Sequence, residues 1–138
     1  MSFGFIEGIG VIDGALGSTV AHDSHNLMLV GSNDRDMRVA AARLAEIGGG
    51  AVVVRNGKVV AEMPLPVGGL MSPASAAVVA AQDASIVEAA HAAGCTLPEP
   101  LTGLAFLSLS AIPELKLTDK GLFKSSKGGF IPLFEPAK

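Results

Sequence analysis

Two histidines, an aspartate, a serine and an asparagine occupy the successive positions His22, Asp23, Ser24, His25 and Asn26, between the apolar runs Thr19-Val20-Ala21 and Leu27-Met28-Leu29-Val30. Imidazole and carboxylate groups are the usual general acids, general bases and divalent-metal ligands. The flanking runs are short, apolar and bounded by Gly17 and Gly31, so both are expected to be buried strands with the polar knot at a strand end or bend. Polar groups held against a core must find hydrogen-bond partners or face a pocket, since leaving one unpaired costs on the order of 1–3 kcal/mol. The knot therefore supplies the catalytic candidates His22, Asp23 and His25 and the ligand-binding candidates Ser24 and Asn26.

Neither of two familiar chemistries follows from these residues alone. On an extended backbone His22 and Asp23 point to opposite faces, and so do His22 and His25. A metal site would need a turn and a further ligand such as His91, Glu114 or Asp119, and none is assigned within the chain. Ser24, His25 and Asp23 are too close in sequence for the linear relay of a hydrolase triad, and no nucleophile-elbow motif is present. A second polar cluster, Glu114, Lys116, Thr118 and Asp119, is expected in a loop, and Glu114, Lys116 and Asp119 join the ligand-binding candidates.

The elements that must position these groups can be read in order. Phe3 to Gly17 is a glycine-rich, turn-rich stretch; its Gly8-Ile-Gly10 lacks the third glycine spacing and following helix of a dinucleotide fingerprint. Ser32 or Asn33 can cap a first helix over 33–48, with Asp34 and Asp36 in its first turn and Gly48-Gly-Gly50 stopping it. Ala51 to Met63 reads as a β-hairpin turning at Asn56-Gly57 and ended by Pro64 and Pro66. Ser72-Pro73 is expected to start a second, alanine-rich helix over 74–93, with His91 favourably placed at its C-terminal end and Gly94 beyond it. After Pro98-Glu-Pro100, the alternation of Leu107 and Leu109 with Ser108 and Ser110 predicts a strand over 101–109, and Phe130 to Phe134 predicts a terminal one. Glu135 to Lys138 is expected to fray. The sum is an α+β fold, a mixed β-sheet of about five strands with two helices packed on it, in a single domain over residues 1–138.

Composition narrows the function classes. A chain of 138 residues with 49% apolar and 17% charged residues and a net charge of −3 fits a soluble globular domain, not a nucleic-acid binder with clustered Lys and Arg. Its apolar runs stop short of the ~18 residues of a membrane span, and the first residues carry no basic signal-peptide region, so a cytoplasmic location is expected. Cys95, the single cysteine, reads as a small buried side chain. With no Trp or Tyr, aliphatic side chains must fill the core, and a mean hydropathy of +0.49 suggests that one face meets another domain or subunit.

Several strings, taken together, resemble one family. Ser18-Thr-Val-Ala-His-Asp-Ser-His-Asn26, Val30-Gly-Ser-Asn-Asp34 with Asp36-Met37, and Gly48-Gly-Gly50 before a Val-rich hairpin occur in order. Pro64-Leu-Pro66, Gly69-Leu-Met-Ser72 and Ile112-Pro-Glu-Leu-Lys-Leu-Thr-Asp119 with Gly121-Leu122 follow. From about Gly4 to Phe134 the chain is similar to the C-terminal domain of bacterial adenine deaminase, a metal-dependent amidohydrolase. The resemblance implies hydrolysis of adenine to hypoxanthine and ammonia on a (β/α)8 barrel carrying Mn2+ or Fe2+, which is absent here, because such a barrel takes about 250 residues. It implies that this chain holds no cofactor itself, has the barrel as partner in cis or trans with adenine as substrate, and belongs to a homo-oligomer. His22, Asp23, His25 and Asn26, and with them Glu114 to Asp119, would then face the barrel mouth. The alanine-rich second helix and Glu99 depart from the family pattern. The other readings are a stand-alone module that binds a small ligand such as a purine, and a structural domain for oligomer contacts.

Overall fold

The computed structural model describes residues 1–134; the expected fraying of Glu135 to Lys138 lies outside the described residues. In chain order the elements are β1 (Ala15–Ser18), β2 (Met28–Gly31), α1 (Asp34–Glu46), β3 (Gly50–Arg55), β4 (Lys58–Pro64), α2 (Ala76–Ala92), α3 (Pro100–Phe106), β5 (Leu115–Thr118), β6 (Gly121–Lys124) and β7 (Gly129–Ile131). The class is α+β, as expected. Its layout is more divided than one mixed sheet with two helices: a four-stranded sheet in the order β2-β1-β3-β4 and a three-stranded sheet in the order β5-β6-β7. Every pairing between neighbouring strands is antiparallel.

Helices cover both faces of the larger sheet. On one side Ala40 and Leu44 of α1 pack on Ala15, Val52 and Val54. On the other Ile86 and Ala90 of α2 and Leu104 of α3 pack with Ile9 and Ile12 on Leu16, Ala51, Val53 and Met63. Central β3 is thus enclosed on both faces, which accounts for its unbroken apolar run Ala51-Val-Val-Val54, each residue fully buried.

Local chemistry explains where reading and structure agree. Asn33 caps α1, its Oδ1 accepting the Asp36 amide at 2.8 Å. Asn56 and Gly57 both take positive φ, as the tight β3–β4 turn requires.

It also explains where they part. The first strand lies at Ala15–Ser18, not at Thr19 to Ala21. The Thr19 hydroxyl donates to Gly69 O at 2.6 Å and accepts the Gly50 amide at 2.8 Å, tying the chain beyond the end of β1 to the loop at Gly69. Ser72 does not cap α2: its hydroxyl accepts the Ala74 amide in a local turn, and the helix begins beyond Ser75. Residues 101–109 do not form a strand. Pro100 opens α3 at its first position, and Leu104 and Ala105 are buried with Leu101 beside the core, a helical spacing that outweighs the Leu/Ser alternation. The expected loop from Glu114 to Gly121 is instead the β5–β6 hairpin, and the terminal strand is Gly129–Ile131.

Candidate functional site

Residues 19–27 connect the paired strands β1 and β2, so the knot sits at one end of the larger sheet, at the bend expected of it. The His25 amide donates to Ala21 O at 2.6 Å, and His25 takes a φ of 48°, a left-handed conformation in which histidine is enriched. Ala21 is fully buried and anchors the turn, whereas Asp23, Ser24, His25 and Asn26 are exposed. His22 is half-buried. Its ring lies 5.4 Å from that of His25, edge to face, and 6.0 Å from that of Phe106. Asn26 Nδ2 donates to Ser24 Oγ at 3.3 Å.

Phe106 and Ser108, which did not stand out in the sequence as site residues, complete this region from the end of α3. Ser108 is buried, and its hydroxyl lies 2.8 Å from His22 O and 3.1 Å from Ala105 O, fixing the backbone under the imidazole. Beneath His22 a cavity of about 220 Å³ is lined by Ser18, Val20, Met63, Leu101, Thr102 and Phe106, among others. Its lining is mainly apolar, and Ser18 within it is buried. The only signal for these residues was the interruption of an apolar run by serine at Ser108.

The second cluster lies on the smaller sheet. Glu114 precedes β5; its side chain accepts from the Ser126 hydroxyl and lies 3.9 Å from Lys124 Nζ, while its backbone carbonyl accepts the Ser125 amide at 3.0 Å. Glu114 thus fastens the start of the hairpin to the turn after β6. Lys116 is half-buried on β5 opposite Phe123, and Asp119 is exposed in the turn. Among the described residues no hydrogen bond or ion pair joins Glu114, Lys116 or Asp119 to the knot. Two consecutive residues nonetheless bring both regions to the same end of α3: Leu107 O accepts the Leu117 amide at 2.9 Å, and Ser108 holds His22.

His91 and Cys95 stand apart from the site. His91 Nε2 lies 2.7 Å from Leu97 O near the end of α2, and Cys95 is buried in the core.

Charge is most tightly organised elsewhere. Arg43 grips Glu62 through two bonds, Nε to Oε2 at 2.7 Å and Nη2 to Oε1 at 2.9 Å, and reaches Glu46 at 2.8 Å. The Arg43 bonds hold the Glu62 pKa below its usual value despite partial burial, while the bonds to Glu62 and then Glu46 raise that of Arg43. This pair lines an open groove of about 830 Å³ between β4 and α2 and ties α1 to β4.

Among the described residues no three His, Cys, Asp or Glu side chains gather to hold a metal ion. The donor set therefore does not fit a binuclear centre, and His22, Asp23 and His25 cannot be its ligand shell by themselves.

The family model of the adenine deaminase C-terminal domain matches residues 1–128. The chain belongs to this family. It is 51% identical over 128 residues to an adenine deaminase of Brucella anthropi, covering 93% of this chain and 23% of that protein. An adenine deaminase of Kosmotoga olearia is 43% identical over 134 residues, 97% of this chain and 23% of its own length. One of Moorella thermoacetica is 50% identical over 122 residues, 88% of this chain and 20% of its own length. The chain thus spans about a fifth of the length of the curated relatives it matches.

Proposed function

We propose that this domain works as part of an adenine deaminase, completing the mouth of a catalytic (β/α)8 barrel whose residues lie outside this chain. In that reaction water adds to the purine carbon bearing the amino group, ammonia leaves, and hypoxanthine remains. The Mn2+ or Fe2+ that would activate the water belongs to the barrel. The single observation that carries the reading is the family match across residues 1–128, which includes the whole knot.

The domain's own contribution would be positional. His22 and Phe106 offer an aromatic wall, and exposed Asp23, Ser24, His25 and Asn26 offer donors and acceptors at the rim, suited to orienting a purine and limiting water access. Lys116 on β5, with Glu114 before that strand and Asp119 after it, would add further polar groups to the barrel-facing side. The reading further includes a cytoplasmic homo-oligomer with no nucleic-acid or membrane partner; among the described residues no helix is long and apolar enough to cross a membrane.

The test is adenine deamination with added manganese by this chain, by a barrel-containing protein, and by the two mixed. Turnover in the mixture alone, lost with His22→Ala and His25→Ala, is expected. Turnover by this chain alone would overturn the account. The cavity under His22 favours a second reading, a purine-binding module without activity; saturable adenine binding by the isolated chain, unaccompanied by any rescue, would select it.

A further inference from the structure

The core of the larger sheet closes without a single aromatic side chain. Of the six phenylalanines, Phe3, Phe5, Phe106, Phe130 and Phe134 are exposed, and Phe123 is half-buried. Phe123 and Phe130 stand on the smaller sheet, and Phe3 and Phe5 belong to the N-terminal segment whose Ser2 and Gly4 touch it. Phe130 meets Phe123 across β6 and β7, with ring centroids 5.7 Å apart, and Phe5 meets Phe134 at 6.4 Å.

This sheet cannot account for its own stability. Its strands are four, four and three residues long, and no described residue after Ser108 is buried. Small antiparallel sheets need an apolar face packed against something. The chain's N-terminal segment covers one face, with Gly4 against Leu117 and the Ser2 hydroxyl donating to Thr118 O. Register places Lys116, Phe123 and Phe130 together on the opposite face. That face is open, and Phe130 is 55% exposed on it.

We propose that the β5–β7 sheet, through the face that carries the Phe123–Phe130 pair, is the element that docks this domain onto the catalytic domain of the same protein. The inference rests on the reading of the chain as one part of an adenine deaminase. Most of the length of each curated relative lies outside the matched region, so a large neighbour exists to cover the face. The family match begins at residue 1, and the first residues of the matched domain, Ser2 and Gly4, touch this sheet. Aromatic rings with a lysine at their margin are the composition of an interface centre and its rim.

The test uses the full-length Brucella anthropi relative with this chain in place of its matching segment, compared by amide exchange with the free 138-residue chain. Exchange over 121–131 is expected to slow about tenfold or more in the joined protein. Phe130→Asp should return it to the free-chain rate while leaving exchange in α1 unchanged. Protection confined to the β4–α2 groove, or no difference between the two proteins, would overturn the docking face. So would a free chain that self-associates until Phe130→Asp separates it, which would make a second copy the occupant. Deamination by the joined protein is scored separately: an active protein with an unprotected sheet sinks only the docking face, and a protected but inactive one sinks only the proposed activity.

Discussion

The carboxylate of Asp36, in the first turn of α1, accepts the amide of Gly57 at 2.6 Å at the tip of the β3–β4 hairpin. Its Oδ2 also accepts from Asn56 N and Asn33 Nδ2, both at 3.2 Å. At the tip of the hairpin this one buried side chain fastens the start of the helix to the turn.

The acid limb of stability follows from this junction. Burial alone would raise the Asp36 pKa, but the bonds from Asn33, Gly57 and Asn56 and the charge of Arg35 outweigh it and leave it lowered. The unfolded chain therefore takes up the proton first as pH falls. The contribution is full above the unfolded carboxylate pKa, about 3.9, and drains away as pH passes down through the folded value. Urea unfolding of the native chain and of Asp36→Ala should differ most near neutrality and converge in strong acid; a constant gap would contradict the linkage.

Leu104→Ala tests α3. Leu104 is fully buried against the larger sheet, and its truncation should cost about 2–5 kcal/mol by denaturant unfolding. Thr102→Ala, at an exposed position of the same helix, should change stability by less than about 0.5 kcal/mol.

Gly50→Ala should destabilise by more than about 1 kcal/mol. Gly50 has a φ of 133°, and a Cβ there would lie 2.0 Å from Met63 O, inside the β3–β4 ladder. The check is the unfolding midpoint, which would stay put if the strand could shift to make room.

Ser108→Ala removes the hydroxyl that holds His22 O and should cost about 1 kcal/mol. Amide exchange should quicken over 22–26 but not in α1. In an assembled deaminase the same change should lower turnover without touching either histidine; unaltered exchange in the knot would show that Ser108 does not position it.

The elements legible in sequence were those whose signals are local. Asn33 and two aspartates announce α1, and Asn56-Gly57 announces the hairpin, because caps and tight turns depend on a few adjacent residues. α3 is masked in the sequence because Leu107 and Leu109 alternate with serines just where Pro100, Leu104 and Ala105 set a helical register. β5 and β6 left little trace, since strands with no buried residue show no clean apolar alternation. The knot's position followed from its apolar flanks. Its partners did not: Ser108 lies 86 residues from His22 along the chain, and only the packing of α3 on β1 and β2 brings them together.

The aromatic-free interior has an optical consequence. With no Trp or Tyr, the near-ultraviolet signal of this protein comes from phenylalanine rings that lie at its periphery. Loosening of the aliphatic centre would pass almost unseen at those wavelengths, while contact with a neighbour would register directly. The chain's own chromophores report the company it keeps.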